Sequence, residues 1–178
     1  MRTTRYMSWM LFIASLSLLL SGCASGKQAE SAKSPEEIKQ MVYDFSTDKL
    51  SAEGASITSH QLIVTSEDKS KTTYDLPKEE FFVSIAPYVN ETHPCEIHSL
   101  TGCQGEMSNE SFDVIVTDLN GEVVLEDKLQ AHDNGFIDIW LPRDRVYEVE
   151  IGHGDKSSKA QISTFEGDQT CISTMQLS

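Results

Sequence analysis

The sequence has few basic residues, no apolar run long enough to cross a membrane, and only four cysteines. Its 14 lysines and arginines stand against 28 aspartates and glutamates, which gives a net charge of -14 at pH 7. A chain this acidic is repelled by phosphate backbones, so nucleic acid is not expected as a partner. The sequence also lacks an internal repeat and a Cys-x-x-Cys motif, so the usual motif of a redox-active thiol pair is absent.

Residues 1–22 have the pattern of an export signal. Two arginines, Arg2 and Arg5, precede an apolar stretch of residues 7–20 that is too short to span a bilayer comfortably. The signal ends in Leu-Ser-Gly-Cys, which resembles a bacterial lipobox and predicts that a lipid is attached to Cys23. We therefore expect an exported protein, lipid-anchored at a bacterial membrane on its periplasmic side or at the outer cell surface. The alternative is an ordinary secretory signal followed by a chance cysteine.

A tether and a helix are predicted after the signal. Residues 23–34 form the lipidated cysteine and a flexible tether, because no large apolar residue occurs there. Ser34, Pro35 and Glu37 then have the spacing of a helix-capping box with proline at the first helical position. An apolar helix face is predicted from the spacing of Ile38, Met41, Val42 and Phe45.

A β-hairpin is predicted to follow the helix. Residues 57–65 and 72–76 are rich in β-branched and aromatic residues, and a polar stretch separates them. A helix and a hairpin provide a thin hydrophobic core for independent stability. We therefore expect this N-terminal α/β part, residues 35–80, to pack on the rest of the chain or to dimerise with a second copy.

Residues 81–178 have the pattern of an antiparallel β-sandwich. Turn signals such as Asn120-Gly121 and Asn134-Gly135 separate short segments in which apolar and polar residues alternate. The segment of residues 135–142 resembles small prealbumin-like sandwiches. The predicted fold class is α+β, a helix-plus-hairpin part followed by a prealbumin-like sandwich. The seven predicted strands are residues 81–88, 112–117, 122–129, 136–141, 146–151, 159–164 and 170–177.

Three cysteines, Cys95, Cys103 and Cys171, remain in the exported chain if Cys23 is lipidated. An odd number of thiols cannot pair completely in an oxidising compartment, so at least one is left for another role. Residues 92–107 combine two cysteines, two histidines and a methionine, which are ligands suited to Cu(I). Three cysteines with one histidine also satisfy a tetrahedral zinc site, so zinc is the alternative metal.

The spacing of these residues indicates how they could meet around one ion. His93 and Cys95 are two residues apart, so on an extended segment they project to one side, about 6 to 7 Å apart. Gly102 permits a turn that brings Cys103 back towards Cys95. Cys171 comes 68 residues after Cys103, so the last strand of the sandwich must bring it beside this loop.

Two other interpretations of the cysteines remain open. The first is a structural disulfide, between Cys95 and Cys103 or between Cys103 and Cys171, in a binding module stabilised by that bond or by zinc. The second is a thiol-disulfide reductase, in which one of Cys95 and Cys103 attacks a substrate disulfide and the other resolves it. Possible further metal ligands are His93, His98 and Met107, whereas Met175 is assigned to the core and His60, His132 and His153 receive no role.

Four segments resemble the CueP family of exported bacterial copper-resistance proteins. Their sequences are HPC at residues 93–95, LTGCQGE at 100–106, GFIDIWLP at 135–142 and TCISTMQL at 170–177. The resemblance implies that Cys95, Cys103 and Cys171 bind Cu(I) and that copper is delivered to client proteins outside the cytoplasm. It also implies a link to copper-dependent disulfide reduction and a homodimer joined through the N-terminal part. Some relatives are soluble periplasmic proteins, so a lipid on Cys23 is a departure from them.

Overall fold

A computed structural model describes residues 33–178 of the chain. The predicted signal peptide, the predicted lipidation site Cys23 and nearly all of the predicted tether lie outside the described residues. Within residues 33–178, no helix is long and apolar enough to cross a membrane. The elements of this range are α1 (Pro35–Ser46), β1 (Gly54–Ile57), β2 (Gln61–Thr65), β3 (Lys71–Asp75), β4 (Glu80–Ile85), β5 (His98–Ser99), β6 (Ser111–Asp118), β7 (Val123–Gln130), β8 (Ile137–Pro142), β9 (Val146–His153), β10 (Lys156–Ser163) and β11 (Cys171–Ile172).

Helix α1 begins at the predicted capping box. The Ser34 hydroxyl accepts from the Glu37 N–H at 3.3 Å, and the Glu37 carboxylate accepts from the Ser34 N–H at 2.7 Å. Pro35 lies in the first turn, where a backbone N–H has no partner within the helix. The predicted apolar face is confirmed, and its buried residues are Ile38, Val42 and Phe45.

The first sheet has the strand order β3-β2-β1-β5 and contains the predicted hairpin as β2 and β3. The run of residues 57–65, predicted as one strand, contains the end of β1 and all of β2, joined by a turn. The Thr58 hydroxyl closes this turn by accepting from the Gln61 N–H at 3.0 Å, a bond that β-branched composition does not reveal. Strand β5 pairs with β1, and this pairing attaches His98 to the N-terminal part.

Two further sheets, with the orders β10-β9-β6-β7 and β11-β4-β8, enclose the larger hydrophobic core. Alternate residues of β6 and β9 are buried there against alternate residues of β4 and β8. The predicted α+β class, with a sandwich of mainly antiparallel strands, is therefore confirmed. The residues of these four strands that are buried in this core are Phe81, Val83, Ile85, Phe112, Val114, Val116, Ile137, Ile139, Leu141, Tyr147, Val149 and Ile151.

The opposite face of β4 and β8 packs on the N-terminal part. Phe82 and Trp140 lie on this face, 5.2 Å apart between ring centroids, and belong to the cluster that includes the apolar face of α1. The helix-plus-hairpin part therefore gains its core from the sandwich, as its small size requires. Ser84 and Asp138 are directly paired across the same two strands, where they lie close to the candidate site.

The C-terminal segment is less regular than predicted. Only two residues of the predicted last strand form β11, and they pair in parallel with β4, which places Cys171 opposite Ser84. An isolated parallel bridge between Tyr88 and Gln176 continues the contact. An extra residue in the C-terminal segment interrupts the ladder between these two points, because Ala86 and Tyr88 are two residues apart whereas their partners, Ile172 and Met175, are three apart.

Candidate metal centre

Folding brings the three cysteine sulfurs together, as the sequence predicts. Cys95 and Cys171 form a disulfide with Cα atoms 5.5 Å apart. Cys103 is a free thiol whose Sγ lies 3.5 Å from the Sγ of Cys95. This pairing differs from both disulfides considered from the sequence, because a bond between residues 76 positions apart depends on tertiary structure.

Backbone hydrogen bonds hold the two halves of the disulfide together. The Glu96 carbonyl accepts from the N–H groups of Thr170 and Cys171, at 3.0 and 3.2 Å. The Thr170 hydroxyl donates to the Ile57 carbonyl at 2.6 Å and accepts from the His98 N–H at 3.0 Å. These contacts do not involve the S–S bond, so the two thiols produced by its reduction start close together.

A tight turn after β5 returns Cys103 to the site. The Ser99 carbonyl accepts from the N–H groups of Gly102 and Cys103, at 3.3 and 3.0 Å, and the Ser99 N–H donates to the Cys103 sulfur at 3.4 Å. The predicted turn at Gly102 is confirmed, and a side chain there would require the Ser99 hydroxyl to rotate away. A Cβ at this position would lie 2.9 Å from the Ser99 hydroxyl oxygen.

His98 adds a nitrogen to the three sulfurs. One of its ring nitrogens and the three cysteine sulfurs all lie within 4.8 Å of one another. The side chain is buried and packs on the Phe136 ring, with centroids 4.5 Å apart. Burial lowers the pKa of His98 from 6.5 to about 4, although the negative charge of Asp138 opposes the shift. The imidazole is therefore neutral at pH 7 and keeps a lone pair for a metal ion.

The other two possible ligands are placed differently. His93 is half-buried with its ring centroid 6.3 Å from that of Phe136, and it does not belong to the group of four. Met107 packs against the larger core of the sandwich, and Met175 is buried in that core as predicted. Of the two histidines considered as further ligands, the structure therefore brings His98 into the group formed by the cysteines.

The donor set fits a soft metal ion. Ala86, Phe136 and Cys171 form a small buried cluster, and Cys95 and Cys103 pack against it. This apolar wall limits the access of water to the sulfurs. After reduction of the disulfide, the group offers three thiolates and one imidazole, which are donors suited to Cu(I) and to zinc.

A buried polar network behind His98 was not predicted from the sequence. The Asp138 carboxylate accepts from the hydroxyls of Ser46 and Ser84, both at 2.6 Å, and lies 3.6 Å from His132 Nε2. Burial raises the pKa of Asp138, but His132, His98 and the two hydroxyls together lower it below its ordinary value. The sequence signal for this network is the position of Asp138 between Phe136 and Trp140, since residues two apart lie on the same face of the predicted strand.

Glu106 closes the loop of residues 89–106, which carries Cys95 and Cys103, by hydrogen bonding to its first residues. Its carboxylate accepts from the N–H groups of Val89 and Asn90, at 2.6 and 2.9 Å, and from the Asn90 side-chain amide at 2.8 Å. These hydrogen bonds, those from Asn90 first, lower the pKa of Glu106 to about 2. The carboxylate therefore remains ionised and bonded well below neutral pH.

Glu106→Gln should let this loop open more readily. The folded-state pKa of Glu106 is below its ordinary value of 4.5, so the carboxylate stabilises the closed loop fully above about pH 4.5. That contribution is lost as the pH falls from about 4.5 to about 2. Hydrogen exchange of the Val89 and Asn90 amides at pH 7 should be faster in the variant. Glu79→Gln, at an exposed glutamate outside the loop, is the control, and equal exchange in both variants would contradict the prediction.

Comparison with known proteins identifies the family of this chain. Residues 37–176 match the family described as "Periplasmic copper-binding protein CueP". A solved structure described as "Crystal Structure of S.CueP" is 38% identical to this chain, with a TM-score of 0.75. The match covers 79% of this chain and 89% of that chain. No curated protein matches the chain. Since the family match spans most of the chain and contains the whole candidate centre, this chain belongs to the CueP family of periplasmic copper-binding proteins.

Proposed function

We propose that this protein is an exported lipoprotein that binds Cu(I) through the thiolates of Cys95, Cys103 and Cys171 and the imidazole of His98. The observation that carries the proposal is the distance of at most 4.8 Å between any two of these four ligand atoms. Thiolate sulfur favours Cu(I), and imidazole is an accepted copper ligand. In copper homeostasis and resistance, the protein would sequester the ion or deliver it to client copper proteins outside the cytoplasm.

Loading with copper requires reduction of the Cys95–Cys171 disulfide. A dithiol reductant attacks the S–S bond, which breaks to give two protein thiols while the dithiol becomes a disulfide. Cu(I) then replaces the proton of each of the three thiols, so three protons are released for each ion bound. Copper affinity should therefore fall as the pH is lowered.

The site has one side from which copper can enter and leave. Cys171 and His98 are buried, whereas Cys95 and Cys103 are half-buried. A client thiol or imidazole would therefore reach the ion from the side of Cys95 and Cys103. His93 is half-buried and lies in the same loop, two residues before Cys95. We propose it as an accessory ligand during copper transfer.

The proposal also includes a lipid anchor and a homodimer. A lipid on Cys23 would keep the metal centre near the membrane. Removal of residues 1–22, with Arg2 and Arg5, would change the net charge from -14 to -16, and this negative charge would attract cations. Strand β3 is an edge strand of the first sheet with exposed side chains, so the N-terminal part offers a surface for a second copy. Mass spectrometry of the protein from its native host tests the lipid, and analytical ultracentrifugation tests the dimer.

Anaerobic titration of the reduced chain from Ala24 onwards should saturate at one Cu(I) per protein. Cys103→Ser should lose the ion to a chelator that leaves wild type loaded, because a hydroxyl cannot replace a thiolate as a soft ligand. Met107→Leu should retain the ion, since Met107 packs on the core. Equal retention by Cys103→Ser and wild type would refute the proposed site. Zinc alone in protein purified without added metal would favour the zinc-stabilised module instead.

The second candidate function is thiol-disulfide reduction. It is favoured by the Cys103 thiol lying 3.5 Å from Cys95 Sγ, since a thiolate this close to a disulfide sulfur is placed for exchange. In that step the Cys103–Cys95 bond forms, the Cys95–Cys171 bond breaks, and Cys171 leaves as the thiolate. Insulin reduction with a dithiol as electron source, measured with and without copper, tests this function. Absence of insulin turnover in both conditions would contradict this second function.

A further inference from the structure

A chain of buried hydrogen bonds leads from Asp138 to the candidate nitrogen ligand. The Ser84 hydroxyl donates to Asp138 Oδ1 at 2.6 Å, and its oxygen lies 3.2 Å from His98 Nε2. Ser84 and His98 are 0% exposed, and the Asp138 side chain is 10% exposed. Water therefore has little access to any of the three groups. The chain is built into the sheet, because Ser84 and Asp138 are paired directly across β4 and β8.

The donors and acceptors fix the direction of this chain. A carboxylate only accepts hydrogen bonds, so the one hydroxyl hydrogen of Ser84 is used on Asp138. The Ser84 oxygen is then left to accept, which requires His98 Nε2 to carry the ring proton. In a neutral imidazole with the proton on Nε2, the lone pair is on Nδ1.

His98 Nδ1 has no hydrogen-bond partner. Among the described residues, two buried side-chain nitrogen or oxygen atoms lack a hydrogen-bond partner. They are His98 Nδ1 and the Asn134 side-chain nitrogen. A buried acceptor without a hydrogen-bond partner is unfavourable. Such an atom in a folded protein therefore usually binds a ligand that lies outside the protein chain. One ring nitrogen of His98 lies within 4.8 Å of the three sulfurs, and Nε2 is already bonded to Ser84, so a metal ion bound by the sulfurs would find the free lone pair on Nδ1.

We infer that Asp138, acting through Ser84, is a positioning residue that holds His98 in the Nε2–H tautomer and so presents Nδ1 as the nitrogen ligand of the copper centre. The inference rests on the proposed function, in which this group of four residues binds Cu(I). Its physical basis is that groups bonded to the far nitrogen of a ligating histidine fix both the tautomer and the orientation of the ring. Here the carboxylate acts across an intervening hydroxyl.

The tautomer can be measured directly in the metal-free protein with its disulfide intact. The ring 15N chemical shifts of His98 distinguish a protonated from an unprotonated nitrogen, and wild type should show Nε2 protonated and Nδ1 bare. In Ser84→Ala, the ratio of the Nε2–H form to the Nδ1–H form should fall about tenfold, because a buried hydrogen bond to one form is lost.

Ser46→Ala is the matched control. Ser46 is also a buried serine, and its hydroxyl donates to the same carboxylate at the same distance of 2.6 Å, but the hydroxyl bonded to His98 Nε2 is that of Ser84. The tautomer ratio should remain at the wild-type value in this variant. A shift of equal size in Ser46→Ala and Ser84→Ala would overturn the inference, since it would show a general response to weakening the core.

The wild-type spectrum shows which ring nitrogen of His98 carries the proton even if Ser84→Ala does not fold. A proton on Nδ1 in wild type would overturn the inference, and so would an unchanged Nε2–H population in a folded Ser84→Ala variant. In the reduced protein, Ser84→Ala should bind Cu(I) about tenfold more weakly than Ser46→Ala. Failure of the proposed function would appear separately, as copper retention by Cys103→Ser, because the tautomer is measured without copper.

Discussion

Gly135→Ala should destabilise the protein by about 3 kcal/mol or more and weaken copper retention, whereas Gly154→Ala should cost only about 1 to 2 kcal/mol. Both glycines have positive φ angles, 78° and 63°, so both substitutions incur the strain of a side chain in the left-handed region. Their surroundings differ. A Cβ at Gly135 would lie 2.6 to 2.9 Å from backbone atoms of Gly105, whereas a Cβ at Gly154 would have no atom within 4 Å.

The close approach at Gly135 matters because it positions the cysteine loop. Gly105 comes two residues after Cys103, and its N–H donates to the Asn134 carbonyl at 2.7 Å. A side chain at Gly135 must therefore push this segment away or break that hydrogen bond. Urea unfolding measures the free energies of unfolding of Gly135→Ala and Gly154→Ala. Competition with a Cu(I) chelator measures how well the reduced variants retain copper. Equal free-energy losses at the two glycines would show that backbone strain alone, rather than the close approach, determines the effect.

Lowering the pH from about 6.5 to about 4 should destabilise the metal-free protein by about 3 kcal/mol through His98 alone. Its folded-state pKa, about 4, is below its ordinary value of 6.5 because burial disfavours the charged ring. In this window the unfolded chain binds a proton that the folded protein does not. The stabilisation is therefore complete above the unfolded pKa and is lost as the pH falls through the window, with no further loss below about pH 4.

Urea unfolding of wild type and His98→Asn between pH 7 and pH 4 tests this prediction. The disulfide should be kept intact, so that no thiol or metal equilibrium contributes to the measured free energy of unfolding. Wild type should lose about 3 kcal/mol more than the variant over this range. Parallel pH profiles for the two proteins would show that the buried imidazole accepts a proton without unfolding. Asp138 contributes in a different window, because its stabilising carboxylate is lost only as the pH falls below its ordinary pKa of 3.8.

Local patterns in the sequence predicted most of the secondary structure. The capping box fixed the start of α1, and the alternation of apolar and polar residues located the strands of the sandwich, because these signals depend on neighbours within one element. Two failures had local causes that composition does not show. Thr58 closes a turn with its side chain inside a β-branched run, and an extra residue in the C-terminal segment interrupts the pairing of the last strand.

By itself the sequence determined that three cysteines, a pair of histidines and a methionine would be available for a soft metal, and its motifs determined the family. Only the tertiary structure decided that Cys171 pairs with Cys95, that His98 lies among the sulfurs, and that Ser84 and Asp138 stand behind its ring. The physical reason is distance along the chain. Sequence periodicity specifies the face on which a residue lies, but strand register and backbone contacts such as that of Gly105 with Gly135 decide which faces meet.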